Sequence, residues 1–476
     1  MHSSHGEGGA VPRADPLGFE AERFRALGHI LVDKVADHWA ELDGAPALRE
    51  AGARELSGLG GAVPSKPGDA EELLEQLVAD ALGNMQHAAH PRFFARVPSP
   101  ASFTGILGDW LSTGFNTIAA SWAGGSGPSA LELIVVDWLR ELMGFPAGSE
   151  GVLVSGGSLG NMTALAAARH AGYDATVYIS DQTHASIGRA LRVLGFAPGQ
   201  VRTIPTGDGF CWSPGAVAAA IREEDRGRAI LVATAGSTNT GAVDPLRELA
   251  DLCAARDLWL HVDGAYGAPA ALSPAGRAVL SGMERADSLA LDPHKWLFQP
   301  YDIGCVLVRR PGALEACFAM NPEYLRDAQS SAADEVDLRN RGLELSRRGR
   351  AIKLWLTFKV HGADALAERV SRSIALAERV QAELEADPSW EVITPAKLGV
   401  ITFAGRGISG AEHVERAGAL TASGFAAVSC TELGGREVYR LCMINPRTTL
   451  ADVTETLLRL KARTTEAGAA GALQPR

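Results

Sequence analysis

In the stretch FEAERFRALGHILVDKVADHWAEL, near the start of the chain, apolar residues recur every three and four positions, the spacing of one buried helical face. A Gly/Pro-rich connector, SGLGGAVPSKPGD, separates it from a second helical stretch, EELLEQLVADALGNM. The pattern then changes. Short β-rich runs alternate with helical stretches: GVLVS (151–155), ATVYIS (175–180), VRTIP (201–205), RAILVAT (228–234), LWLHVD (258–263), DSLALD (287–292) and IGCVLVRR (303–310). Seven such runs, spaced by helices such as PLRELADLCAARD, predict a mostly parallel sheet covered on both faces. After about residue 345 a long helical stretch leads into a mixed segment containing GVITFAG and EVYRLCMIN, which reads as a smaller α+β domain.

A length of 476 residues exceeds what one hydrophobic core serves. The expected division is a helical N-terminal segment over 1–95, a large domain over 96–366 and a small C-terminal domain over 367–476. The Gly/Ser/His-rich start and the C-terminal TTEAGAAGALQPR read as frayed tails, and no internal repeat is visible. Forty-five basic residues against 56 acidic ones, a net charge of −11, argue against a nucleic-acid or anionic-membrane surface as the main partner. The start carries no basic-then-apolar leader and no long apolar run follows, so a cytoplasmic protein without a membrane span is expected. The six cysteines lack CxxC or paired spacing, as reduced, mostly buried thiols do, so neither a disulfide framework nor a metal site is expected.

In parallel sheets reactive groups gather at the carboxyl ends of strands. Asp263 in HVDGAYGAPA ends one such run, and Lys295 in LDPHKWLF follows a later one. A buried carboxylate favours the protonated form of a pyridine nitrogen, and a lysine amine binds an aldehyde as an imine, so the pair suits an electron-sink cofactor. Taken singly, Lys295 also reads as a surface lysine and Asp263 as a strand-end cap. In VLVSGGSLGNMTALAAARH, a strand, a Gly-rich turn and a helix place Gly156, Gly157 and Ser158 where free amides cradle a phosphate, although such turns also serve packing. His184 in ISDQTHASIGRA and Thr234 in VATAGSTNTGAVDP stand at two further strand ends, each with a structural reading beside the functional one.

Together these pieces resemble the group II pyridoxal-phosphate decarboxylases, the family of the aromatic L-amino acid, histidine and glutamate decarboxylases. The resemblance runs from about residue 17 to 460, is strongest to the aromatic branch, and rests on SDQTHAS, HVDGAYG, DPHKW, NPEYL, LSRRGRAIKLW and YRLCMINPRTT in that order. It implies an α/β fold of type I, the aspartate-aminotransferase-like arrangement, and a pyridoxal 5′-phosphate enzyme that decarboxylates an L-amino acid. It further implies that Lys295 is the Schiff-base lysine, Asp263 the partner of the ring nitrogen, His184 the stacking histidine and Ala265 the small residue beside the ring. Thr234 and His294 would support the cofactor, and Gly157 and Ser158 would hold its phosphate. Tyr324, in NPEYLRDAQSSAADEVD, would be the acid of a mobile loop that returns a proton to the α-carbon. Relatives with phenylalanine there form aldehydes, so the phenol favours simple decarboxylation. The family's habit of sharing pockets between chains implies a homodimer.

The substrate pocket implied by the resemblance comprises Arg96, Val97, Pro98 and Ser99 in HPRFFARVPSP, Ile118, Ala120 and Trp122 around SWAGGSGP, and Ser346. Arg96 and Ala120 stand where aromatic-specific relatives carry rings. Arg96 therefore either binds an acidic substrate side chain or points into solvent, and a decarboxylase of an acidic or other non-aromatic amino acid stays open beside the aromatic one. A decarboxylating aldehyde synthase, an aminotransferase and a catalytically dead scaffold are also compatible with these residues. The most distant reading is an α/β-hydrolase, in which Gly156–Gly160 is a G-x-S-x-G elbow presenting Ser158 to a triad with Asp263 and His294.

Overall fold

The computed structural model describes residues 17, 18, 20–320, 323, 332 and 335–462. They fall into two compact units, one within residues 1–45 and 49–86, the other comprising 46–48 and the chain from His87 onward.

The first unit holds helix α1 (Ala21–Glu41) and helix α2 (Ala70–Gln76). Asp69 caps α2, accepting hydrogen bonds from the amides of Glu71 and Glu72. Arg23 pairs with Glu71 and Lys34 with Glu75 across the two helices. No side chain of α1 is buried, and Phe24, Leu31 and Val32 are exposed. The expectation of a helical segment over 1–95 is too broad: between the two helices the chain forms two short 3₁₀ turns, Leu42–Gly44 and Glu55–Leu59, and the glycines and prolines of 58–68 admit no longer helix. This unit also ends at residue 86, short of the expected boundary at 95.

The second unit is built on a seven-stranded sheet: β1 (Glu150–Val154), β2 (Thr176–Ser180), β3 (Val201–Ile204), β4 (Ala229–Thr234), β5 (Trp259–Asp263), β6 (Ser288–Leu291) and β7 (Gly304–Val308). Their order is β1-β7-β6-β5-β4-β2-β3, and only β7 runs antiparallel to its neighbours. All seven match expected runs. β4 is buried at every position because helices cover both faces, which is why its sequence is a continuous apolar run. Alternate residues enter different cores: Leu231 and Ala233 on one side, Ile230 and Val232 on the other. Helix α3 (Gly157–His170) follows β1, helix α4 (Ala185–Val193) follows β2, and helix α5 (Leu246–Arg256) precedes β5.

The C-terminal part carries a four-stranded antiparallel sheet ordered β10-β11-β9-β8, made of β8 (Trp390–Lys397), β9 (Val400–Gly405), β10 (Ser429–Leu433) and β11 (Arg436–Cys442). Helix α6 (Ala351–Ala386) leads into it, and the expected boundary at 366/367 lies inside that helix. The helix serves two cores: Leu354, Phe358, Leu366, Val370 and Ile374 pack with the large sheet, whereas Ala377, Val380 and Leu384 pack with the small one. The helix kinks at Gly362 (φ 77°), and the handover between cores falls later, after Ile374, where the apolar spacing continues unbroken. Among the described residues, no helix is long and apolar enough to cross a membrane.

Candidate active site

Sheet register brings the marked residues together. Thr234 pairs with Asp263, and Asp263 with Ala290, so the carboxyl ends of β4, β5 and β6 lie side by side. One helical turn, Pro293–Trp296, follows β6 and carries His294 and Lys295. β1 ends at the Gly-rich turn into α3, and β2 ends just before His184, which caps α4 by accepting from the amide of Ser186. The five strand ends open on a cleft of about 390 Å³, lined by Gly156, Gly157, Ser158, His184, Thr234, Asp263, Ala265, His294 and Lys295, and also by Asp292 and Tyr301. Every expected cofactor-contacting residue therefore faces one space.

The buried polar groups of this cleft are tightly partnered on one side and open on the other. Lys295 Nζ donates to Asp292 Oδ2 at 2.8 Å, and His294 Nε2 lies 3.5 Å from the same oxygen. Burial opposes the Lys295 ammonium, but the Asp292 carboxylate, with smaller help from Asp263 and Tyr301, raises its pKa above the ordinary lysine value. Burial likewise dominates at His294 and lowers its pKa, with Asp292 opposing, so this imidazole is neutral near pH 7. Asp263 Oδ1 accepts from the amide of Ala265 at 3.1 Å and Oδ2 from Asn161 Nδ2 at 3.0 Å.

Three buried atoms around the cleft, Thr234 Oγ1, Asp292 Oδ1 and His294 Nδ1, have no hydrogen-bond partner among the described residues. Buried polar atoms are rarely left so, and a polar ligand would satisfy them. Helix α3 has no side-chain cap, which leaves its first amides without an intrahelical acceptor at the cleft floor. The cradle is also sterically tuned. A Cβ on Gly157 would fall 2.9 Å from both Ala265 Cβ and Asp292 Oδ2. A lysine amine, a buried acid and an open helix N-terminus within one cavity of this size fit an aldehyde-bearing heterocyclic phosphate.

The expected substrate-pocket residues lie elsewhere, and none of the eight lines this cleft. Arg96 is exposed at φ 55°, and its carbonyl accepts from Arg440. Val97 packs against the main core and Pro98 is buried, while the Ser99 hydroxyl bonds the carbonyl of His294, bracing the Lys295 turn. Ile118 bridges to Arg348 and is 41% exposed; Ala120 is buried, and its carbonyl accepts from the Arg339 amide. The Trp122 amide donates to Asp337, and Ser346 is exposed. Tyr324 lies outside the described residues.

Two residues that sequence reasoning passed over matter here, Asp292 and Asn161. Asp292 sits inside DPHKW, and its signal was its place three residues before the lysine. Asn161, in the first turns of α3, gave none. The hydrolase reading fails on geometry, because the carboxylate beside His294 is Asp292, whereas Asp263 engages Asn161 and the Ala265 amide.

The pyridoxal-dependent decarboxylase conserved domain matches residues 54–406. An aromatic-L-amino-acid decarboxylase of Bacillus atrophaeus is 43% identical over 465 residues, covering 94% of this chain and 97% of that protein. A phenylacetaldehyde synthase of Petunia hybrida is 32% identical, covering 81% and 80%. The crystal structure of an Oryza sativa TDC with PLP and tryptamine superposes with a TM-score of 0.88 at 28% identity, covering 95% of this chain and 99% of that one. The chain thus belongs to the group II pyridoxal-phosphate-dependent decarboxylases, and it is a carboxy-lyase that uses pyridoxal 5′-phosphate to decarboxylate an amino acid.

Proposed function

We propose that the substrate is an aromatic L-amino acid, released as its amine and carbon dioxide, and that Lys295, Asp263 and His184 carry the reaction. The observation that carries this is their convergence on one cleft at adjacent strand ends. The substrate class is supported by the named activity of the 43% identical relative.

When bound, the cofactor supplies an aldehyde and an electron-accepting ring. Lys295 Nζ offers the amine that holds it, and Asp292 holds the proton of that amine while the site is free. The Asp263 carboxylate, which lines the cleft, would hold the ring-nitrogen end of the cofactor and keep a proton there. The Gly157 and Ser158 amides would receive the phosphate, and Thr234 Oγ1 and His294 Nδ1, which have no partner among the described residues, would support the cofactor. Ala265 gives the ring room, and His184 presents its imidazole to ring and substrate carboxylate, fixing which bond of the α-carbon breaks. Tyr324 returns the proton to that carbon, a role that favours amine over aldehyde.

The substrate pocket is completed across a C2 homodimer, with Ile118 and Ala120 near the neighbour's site. Support comes from Phe103, Leu107, Leu111 and Phe115, which expose 44–80% of their surface along one helical face, as a second copy would cover. The six cysteines are free thiols, in keeping with a cytoplasmic setting.

Incubating the holoenzyme with aromatic, acidic and aliphatic L-amino acids, while following carbon dioxide, amine and peroxide, tests the reading. An amine from an aromatic acid without peroxide is expected. Release of carbon dioxide only from acidic substrates, or aldehyde with peroxide, overturns it.

A further inference from the structure

We propose that Asn161 is a positioning residue, locked by a buried hydrogen-bond chain from Trp259 through Ser288 and His261, that aims the Asp263 carboxylate at the cofactor ring. The inference rests on the assignment of Asp263 to that ring.

Alternation along β5 puts Trp259, His261 and Asp263 on one face, and register sets Ser288 of β6 beside His261. Trp259 Nε1 lies 2.8 Å from Ser288 Oγ, which lies 2.9 Å from His261 Nδ1. His261 Nε2 is 3.0 Å from Asn161 Oδ1, and Asn161 Nδ2 is 3.0 Å from both Asp263 Oδ2 and Ser186 Oγ. Trp259, Ser288, His261 and Asn161 are at most 1% exposed, so water cannot substitute for any member.

Donor chemistry gives the chain a direction. An indole N–H only donates, so Ser288 Oγ accepts there and keeps its own hydrogen available to His261 Nδ1. A neutral imidazole accepting at Nδ1 carries its proton on Nε2 and donates to Asn161 Oδ1. Both Asn161 amide hydrogens are then committed, one to Asp263 and one to Ser186. The other end agrees, because a flipped amide would set two acceptors 3.0 Å apart. Burial, the largest influence on His261, lowers its pKa to about 4 against the pull of Asp263 and of the Ser288 backbone, so the neutral form the chain needs is the form present at pH 7. Ser186 extends the order outward. Its hydroxyl, 2.8 Å from His184 Nδ1, accepts from Asn161 and donates to that nitrogen, which also accepts from the Ser186 amide at 3.2 Å. The His184 proton is thereby left on Nε2. One amide thus steadies the groups facing both cofactor and substrate.

The test joins nitrogen-15 NMR of histidine-labelled, cofactor-free protein with titrations of pyridoxal 5′-phosphate into wild type, Asp263→Ala, Asn161→Asp, His261→Leu and His261→Gln. His261 is expected as the Nε2–H tautomer at pH 7. Asp263→Ala, Asn161→Asp and His261→Leu are expected to weaken cofactor binding roughly ten- to hundredfold, the worth of a hydrogen bond to a charged group. His261→Gln keeps an amide donor to Asn161 and is expected within about threefold of wild type. A purely structural histidine would show no such rescue in affinity. Finding His261 as Nδ1–H or imidazolium, or His261→Leu binding as tightly as wild type, overturns the inference. If His261→Leu fails to fold, the wild-type tautomer and the His261→Gln affinity still decide. Unchanged affinity in Asp263→Ala instead overturns the ring assignment beneath it.

Discussion

Lys295 Nζ sits 2.8 Å from Asp292 Oδ2, three residues earlier on the same helical turn, and this contact governs when the lysine is a nucleophile. Only the free amine attacks an aldehyde, and Asp292 is the strongest influence favouring the ammonium. Asp292→Asn removes the charge while keeping the shape. We predict that the lysine pKa falls and that cofactor reconstitution, followed by absorbance, speeds up severalfold near pH 7, with its pH profile displaced to lower pH. An unchanged profile would show that Asp292 does not hold the proton.

His261 makes stability depend on pH in a definite sense. Its folded pKa, about 4, lies below the ordinary 6.5, so the unfolded chain binds more protons between those values. Its contribution is complete above pH 6.5 and is lost as pH falls toward 4, by about 3 kcal/mol. Asp244 acts oppositely: burial raises its pKa to about 6, so its contribution is lost as pH rises through that value. Denaturant unfolding from pH 7 to 4 should therefore fall more steeply in Asp244→Asn than in wild type, and less steeply in His261→Gln.

Gly304 tests the steric cradle. A Cβ there would lie 2.6 Å from the Gly156 Cα and 2.9 Å from Asp292 Oδ1, and the first of these neighbours is backbone. Gly304→Ala should shift the phosphate turn and lower cofactor affinity by about tenfold or more, the equivalent of about 1–3 kcal/mol of overpacking. Equilibrium titration of the cofactor measures it directly.

Tyr266 ties the active-site strand to the small sheet. Its ring stacks on Trp296 at 5.4 Å, and its hydroxyl accepts from the buried amide of Gly399 at 2.8 Å. Tyr266→Phe keeps the stack and strands the amide. A loss of about 1–3 kcal/mol in unfolding free energy is expected, and none would mean the amide finds another partner.

The central sheet was legible because its strands are buried on both faces and write themselves as unbroken apolar runs, as in AILVAT of β4. β8 and β10 were not, because they are the edges of the small sheet and mix buried with exposed positions, as in SCTEL. The division inside α6 was invisible for another reason, since one amphipathic stripe changes cores after Ile374 without a break in pattern. At the site, Asp263 and Lys295 stood out because charge in an apolar strand-end context is costly and therefore conspicuous. Asn161 did not, because its role exists only once α3, β5 and β6 are packed together.

The most direct test is borohydride reduction of the holoenzyme, followed by peptide mass spectrometry. A pyridoxyl phosphate adduct is expected on the peptide containing LDPHKWLF, located at Lys295, and none in Lys295→Ala. A reduced adduct on another lysine, or retention of the chromophore through reduction in the Lys295→Ala protein, would contradict it.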